Sequence, residues 1–186
     1  MAPSIAPILY AVIRKFASKK IVEIGAGQST LVTNAALRAN GNNSVFTSVD
    51  PFPPPYLNGH KVIKSKVERL PLSTFDELDL LFIDSSHVVR IGGDVLYEIL
   101  DILPRQKIGA LIHIHDIFFP HHYPKEWVLK RRTFWTEQYL VQAFLAFNSA
   151  FEIIWSATMM ASEREREMKA IFPQLDGDSL WLRRVA

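Results

Sequence analysis

The sequence predicts an α/β fold: a mostly parallel sheet with helices on both faces. Short, β-branched apolar runs recur along the chain, and stretches with helical spacing separate most of them. Turn-forming Gly, Pro, Asp and Asn punctuate the changes. Strand-helix-strand alternation is the pattern of crossover connections, which make neighbouring strands parallel.

Ile5 to Phe16 has helical spacing, with Pro7 near its first turn, where proline is tolerated. Lys20 to Ile24 (KIVEI) reads as a strand buried on both faces. Ser29 or Thr30 can cap a helix running to about Asn40, and Gly41 follows as a stop. Val45 to Val49 is a second strand. The prolines of Asp50-Pro51-Phe52-Pro53-Pro54-Pro55 cannot continue it, because proline removes ladder donors. Lys61 to Ser65 is a short third strand and Leu78 to Ile83 an apolar fourth. Arg90 to Leu103 predicts a helix with Ile91, Val95, Leu96, Ile99, Leu100 and Leu103 on one side, ended by Pro104. Ala110 to His115 is a fifth strand, Phe134 to Phe147 a long helix, Phe151 to Trp155 a sixth strand and Ser179 to Val185 a last one. Ser162 to Met168 (SEREREM) alternates charge and reads as a solvated helix or loop.

The totals set bounds. A chain of 186 residues, 48% hydrophobic and 22% charged, suits one globular domain over 1–186. The absence of cysteine excludes a disulfide framework, a thiolate nucleophile and a Cys-ligated metal. A formal net charge of +2 is too small to point to nucleic acid. No apolar run approaches the roughly 20 residues of a membrane span. Arg14 and Lys15 follow the apolar start instead of preceding it, the reverse of a signal peptide. The expectation is a soluble, cytoplasmic protein without nucleic-acid or membrane partners.

The stretch IVEIGAGQST, residues 21 to 30, carries the strongest chemical signal. In open α/β sheets ligands bind beyond the carboxyl ends of the strands, where Gly25 and Gly27 fall. Asp50 follows Gly27 by 23 positions (50 − 27), close to the ~20-residue offset at which a carboxylate meets ribose hydroxyls. A nucleoside ligand follows. The dinucleotide fingerprint wants a third glycine where Thr30 stands, and no Walker lysine is present. Glu23, two residues before the first glycine, would repel a diphosphate and suit an ammonium group, so a nucleoside with an amino-acid tail fits better.

These residues carry a family resemblance. VEIGAGQST resembles motif I of the class I S-adenosylmethionine-dependent methyltransferases (Glu/Asp-x-Gly-x-Gly), and SVDP resembles their second-strand acidic motif. LLFIDSSH and LIHIHDIFFP resemble the fourth- and fifth-strand ends of a bacterial branch related to O-methyltransferases, and SLWLRRV the closing antiparallel strand. The similarity covers roughly residues 19 to 155. It implies a Rossmann-like fold of seven strands, the last antiparallel, and S-adenosylmethionine-dependent methyl transfer, most simply to an oxygen of a small-molecule acceptor. It also implies roles for matching residues. Glu23, Gly25 and Gly27 would frame the methionine portion, with Ser29 and Thr30 at the helix N-terminus. Asp50 would hold the ribose, and Val67 and Glu68 would lie near adenine. Two other readings stay open: an NAD-dependent oxidoreductase, and a non-catalytic nucleoside-binding sensor or subunit.

On the acceptor side, Asp84 and Asp116 end the fourth and fifth strands, about 5 Å apart laterally if those strands are neighbours. Two carboxylates there can hold Mg²⁺ or anchor loops by hydrogen bonds. Related metal-dependent O-methyltransferases place an Asp on the fourth strand and an acidic-amide or acidic pair on the fifth. Here that pair reads His115-Asp116, a departure from the pattern, since histidine favours softer ions than Mg²⁺; the metal and loop-anchor readings of Asp84 and Asp116 both stay open. His87 is the first choice of general base, as histidine titrates near neutrality, with His115 the alternative. His113 shares a strand face with His115 and suits the core. Asp116 would point away unless the chain turns there. His121 and His122 read as loop residues. Phe118, Phe119, Tyr123, Trp127 and Trp135 are candidates to wall an acceptor pocket, with sheet packing the simpler reading for Trp135. Lys130-Arg131-Arg132 either attracts an acidic acceptor or is a solvated loop. The short region before the first strand leaves little room for a capping domain, so a homo-oligomer is a further way to complete the acceptor site.

Overall fold

The structure, a computed structural model, describes residues 5–41, 43–172 and 178–186. Its sheet has seven strands: β1 (Lys20–Ile24), β2 (Val45–Val49), β3 (Val62–Ile63), β4 (Leu80–Ile83), β5 (Leu111–His115), β6 (Phe151–Ser156) and β7 (Ser179–Arg184), in the order β3-β2-β1-β4-β5-β7-β6. All pairs are parallel except β5–β7 and β6–β7, where β7 runs against both neighbours. This is the expected Rossmann-like sheet with its reversed last strand.

Side chains alternate across the sheet with period two. Ile21, Leu80, Phe82, Leu111 and Trp181 join Leu9 and Ile13 of helix α1 (Ile5–Phe16) and Ala36 and Leu37 of α2 (Gln28–Ala39) in one core. Val22, Ile24, Leu81, Ile83, Ile112 and Ile114 pack into the other, under α3 (Asp94–Leu96), its continuation, and α5 (Glu137–Leu145). Glu23, His113 and His115 therefore fall on the α1–α2 side.

The helix expected from Arg90 starts only at Asp94, after Gly92 at φ +64°. It continues as a wide π turn, Tyr97–Ile102, and ends in a 3₁₀ turn, Leu103–Arg105. The expected phase holds at Val95, Ile99 and Leu103, but Ile91 is 102% exposed and Leu100 half exposed. Ile91 precedes the helix, and the wide turn brings Glu98 and Ile102 inward instead. The helix expected over 134–147 is shorter: Phe134 and Phe147 are exposed outside it, and Phe147 ends it at φ +60°. A short α4 (Lys125–Leu129) precedes it. SEREREM lies in α6 (Ala157–Glu163) and α7 (Glu165–Ile171), which carry exposed ion pairs and bury Met168, the solvated-helix reading. Among the described residues no helix is long and apolar enough to cross a membrane.

Candidate active site

The carboxyl ends of β1, β2 and β4 open on a trough with two lobes. The larger, about 390 Å³, is lined among others by Val49, Asp50, Phe52, Val67, Glu68 and Asp84. The smaller, about 340 Å³, is lined by Gly25 to Ser29, Asp50, Tyr56 and Asp84. Gly25, Asp50 and Asp84 belong to both. The trough lies where strand order reverses, between β1–β2 and β4–β5, the position that α/β sheets reserve for ligands.

The two glycines have different reasons. Gly25 sits at φ +85°, and a Cβ there would come 1.8 Å from the Asp84 carbonyl oxygen. It is required by the protein itself, to let the turn pass over the end of β4. Gly27 is extended, and the nearest atom to a Cβ would be Tyr56 Oη at 4.0 Å, across the small lobe. Its bareness leaves room for something in the trough.

The turn is held from beneath and from the side. Glu23 pairs across the sheet with Ser48, whose hydroxyl donates to Glu23 Oε2 at 2.6 Å. Thr30 Oγ1 donates to the same oxygen at 2.5 Å and accepts from the Gly27 N–H at 3.0 Å. Glu23 is only 1% exposed; burial pushes its carboxyl up to about 7, against the hydrogen bonds from Ser29, Ser48 and Thr30. Glu23 and Thr30 lie outside the lining of both lobes and brace the turn that carries Gly25 and Gly27. Ser29 lines the small lobe. Asp50 Oδ2 accepts from the Ala26 N–H at 2.9 Å and Oδ1 from the Phe52 N–H at 2.6 Å. A carboxylate has about four lone-pair sites, so it can still accept from ligand hydroxyls. Val67 and Glu68 line the large lobe. Phe52, 86% exposed, lines it too and was not singled out from the sequence.

On the other side of Asp84 the character changes. The register pairs Ile83 with Ile114, so Asp84 and His115 leave the sheet side by side. Asp116 turns at φ +57°, which brings it back to the cluster, the condition on which its role depended. Its Oδ2 lies 3.2 Å from His115 Nδ1 and 3.3 Å from His87 Nε2. The same His87 nitrogen is 3.3 Å from Asp84 Oδ1, and His87 Nδ1 meets Glu137 Oε2 at 2.7 Å. His87 is 5% exposed, with its ring tilted over Trp135 at 4.2 Å between centroids. Burial lowers its pKa, but the carboxylates of Asp84, Glu137 and Asp116 overcome that and raise it to about 10. His87 lines neither lobe of the trough.

For Asp84, burial acts upward, yet the His87 contact and the charges of His115 and His87 hold it below the usual carboxylate range. His115, though buried, is raised above its ordinary value by Asp116 and Asp84. His113 is the core histidine that its position suggested. It stacks on Phe82 at 4.3 Å and meets Trp181 edge-on at 4.7 Å, and burial followed by the neighbouring His115 holds it well below its ordinary value, hence neutral. Behind His87 stand two fully buried acids absent from the sequence reading. Burial raises both Glu137 and Glu98; the Glu137 charge raises Glu98 further, and Ser85 Oγ donates to Glu98 at 2.8 Å. The sequence did carry signals for them. Glu98 stands among Val95, Ile99 and Ile102 on an inner helix face, and Thr136-Glu137 begins α5.

Mg²⁺ fits this cluster poorly. Asp84, His115 and Asp116 bring three donor atoms within 4.8 Å of one another. One is an imidazole, and His87 Nε2 already faces both carboxylates, whereas Mg²⁺ demands near-octahedral oxygen ligation. The aromatic residues of 117–135 do not line either lobe. Phe118, Tyr123, Trp127 and Trp135 pack edge-to-face on one another at 5.1 to 6.1 Å, and Phe119 packs on the core. His121 and His122 are exposed, in keeping with loop residues.

A family profile described as a methyltransferase domain matches residues 22–117, the span from the glycine turn to the Asp116 turn. The chain belongs to this methyltransferase family. Solved structures with the same fold span the methyltransferase from end to end. The O-methyltransferase TomG of Streptomyces achromogenes, involved in tomaymycin synthesis and solved with S-adenosylmethionine, is 14% identical with a TM-score of 0.59; the match covers 100% of this chain and 81% of TomG. An O-methyltransferase of Bacillus cereus solved with S-adenosylhomocysteine is 12% identical, TM-score 0.59, covering 100% and 82%. The Podospora anserina methyltransferase PaMTH1, also bound to S-adenosylhomocysteine, is 15% identical, TM-score 0.60, covering 100% and 80%. No curated protein matches the sequence.

Proposed function

We propose that this methyltransferase moves the methyl group of S-adenosylmethionine to an oxygen of a small-molecule acceptor. The observation that carries the reading is the two-lobed trough with Asp50 at its waist and Asp84 at the border of the acidic cluster. Asp50 suits the ribose hydroxyls, the lobe of Val67, Glu68 and Phe52 the adenine, and the lobe under Gly27 and Ser29 the methionine tail. Glu23 and Thr30 act through the turn they brace.

In the transfer the sulfonium S–CH₃ bond breaks and an O–CH₃ bond forms, leaving a neutral thioether. The acceptor hydroxyl gives up its proton. Asp84 is the group offered for it, because its side chain is 36% exposed while those of His87 and Asp116 are nearly sealed. A carboxylate of low pKa is a weak base, so the site favours an acceptor with an acidic hydroxyl, a phenol or enol, over a simple alcohol. Most of the rate then comes from alignment. The NAD reading has no support at the turn, where buried Thr30 stands in place of the third glycine.

The test is thermal unfolding with S-adenosylhomocysteine, for the wild type and Asp50→Ala. Ligand at 100 times its Kd adds about 2.7 kcal/mol of stability. A rise in the wild type that disappears in the variant is the expected result. A wild type that ignores S-adenosylhomocysteine but responds to NAD would sink the proposal.

A further inference from the structure

We infer that Tyr56 is a specificity-determining residue for the cofactor: its hydroxyl donates to the carboxylate of the amino-acid tail in the small lobe, and so selects nucleosides that keep that carboxylate. The inference rests on the proposed methyl transfer, which puts S-adenosylmethionine in the trough. It deepens that reading by naming the group that separates the whole cofactor from its shortened relatives.

The small lobe sets the problem. Among the residues lining it there is no lysine, arginine or histidine, and two are acids, Asp50 and Asp84. Those acids suit an ammonium group and repel a carboxylate, yet the tail carries both. Neutral donors are few. The Ala26 N–H is held by Asp50 and the Gly27 N–H by Thr30 Oγ1. The Ser29 hydroxyl donates to Glu23. Tyr56 stands on the opposite wall. Its Oη lies 4.0 Å from where a Gly27 Cβ would be, and the residue is more than half exposed. Among the described residues none engages that hydroxyl in a hydrogen bond. A phenolic O–H can donate to a carboxylate oxygen, and a hydrogen bond to a charged group is of the strong kind.

The chain holds Tyr56 in that place. Pro53, Pro54 and Pro55 fix the backbone that leads to it. The 3₁₀ turn Pro55–Leu57 follows, closed by the Leu57 N–H on the Pro54 carbonyl at 3.0 Å, and the buried Leu57 side chain pins it. At the far end of the loop His60 Nδ1 meets Asn34 Nδ2 at 3.1 Å. The same Asn34 nitrogen donates to the Thr30 carbonyl at 2.8 Å, so the loop is tied to α2, the helix that carries the facing wall. At the near end the Phe52 N–H donates to Asp50 Oδ1. A hydroxyl presented by so stiff a loop binds with little ordering cost.

The test is calorimetry on the full-length wild type and Tyr56→Phe with two ligands. One is S-adenosylhomocysteine. The other is its decarboxylated analogue, which keeps the adenosine, the sulfur and the ammonium and lacks only the carboxylate. Tyr56 is exposed and the variant keeps its ring, so the fold is not at stake. Tyr56→Phe should bind S-adenosylhomocysteine about tenfold more weakly than the wild type, while the decarboxylated analogue binds both proteins equally. Unchanged S-adenosylhomocysteine affinity overturns the inference and leaves methyl transfer standing. An equal loss for both ligands also overturns it, because it puts the nucleoside or the ammonium against Tyr56 in place of the carboxylate. A wild type that binds neither ligand removes the proposed function and this inference with it.

Discussion

The two sides of Asp84 are built by different means. On the β1–β2 side the site is backbone geometry: a turn crossing a strand end, N–H groups tied to Asp50 and Thr30, and an open trough. On the β5 side it is side chain against side chain, a sealed group of His87, Asp116, His115, Glu137 and Glu98 with almost no solvent. A backbone cradle can bind a ligand by shape and still tolerate water. A sealed charge cluster must satisfy itself before any ligand arrives, which is why His87 is locked between acids. Six variants at five positions sharpen the contrast, and they differ in how much of the fold each side carries.

The largest effect belongs to the sealed side. Glu137→Ala leaves His87 buried and short of a partner. Breaking one member of a buried pair costs about 3–5 kcal/mol. Urea denaturation should show that loss, and Glu137→Gln, which keeps a hydrogen-bond acceptor, should recover part of it. If Glu137→Ala unfolds at the wild-type midpoint, the cluster is not the rigid unit described here.

Next is the point where the two sides touch. Gly25→Ala puts a methyl group 1.8 Å from the Asp84 carbonyl and forces alanine to φ +85°. Overpacking and left-handed backbone together cost about 3–4 kcal/mol. S-adenosylhomocysteine binding should vanish with it. The same substitution at Gly27 meets open space, so its stability should hold while cofactor affinity falls.

The contrast also decides what the sequence could tell. The turn and Asp50 are legible because their signal is local, a strand, two glycines and a carboxylate at a set distance, whereas Val67 and Glu68 are reached only through the family resemblance. The sheet is legible for the same reason, since each strand announces itself in a few residues. The sealed side is assembled from positions 84, 87, 98, 115, 116 and 137. The decisive contact spans 50 positions, from His87 to Glu137. From the sequence only Asp84 is in view beside His87; the fold adds Asp116 and Glu137 at its ring. Ile91 fails for a related reason, because periodicity alone does not locate a helix start after Gly92-Gly93 or a wide turn within it.

Glu23 tests the floor of the open side through pH. Burial lifts its carboxyl from 4.5 to about 7, so the folded state holds that proton more tightly than the unfolded chain. The contribution is fully present below pH 4.5 and is lost as pH rises through 7. The loss is about 3 kcal/mol. Glu23→Gln should remove this slope, so that urea midpoints at the two ends of the window differ less than in the wild type. An unchanged slope would mean that Glu23 is ionised throughout.

The smallest effect is on the open side alone. Phe52 lines the large lobe and is 86% exposed, so Phe52→Ala removes almost no packing. Stability should stay within about 0.5 kcal/mol of wild type. A ring with that much exposure beside Val67 has surface to offer a planar base, and such contacts are worth about 1 kcal/mol. Calorimetry should then show S-adenosylhomocysteine binding weaker by about fivefold. Unchanged affinity would move the adenine away from Phe52 toward Tyr56 in the small lobe. The amino-acid tail would then lie in the large one, reversing the cofactor's direction along the trough while leaving Asp50 at its waist.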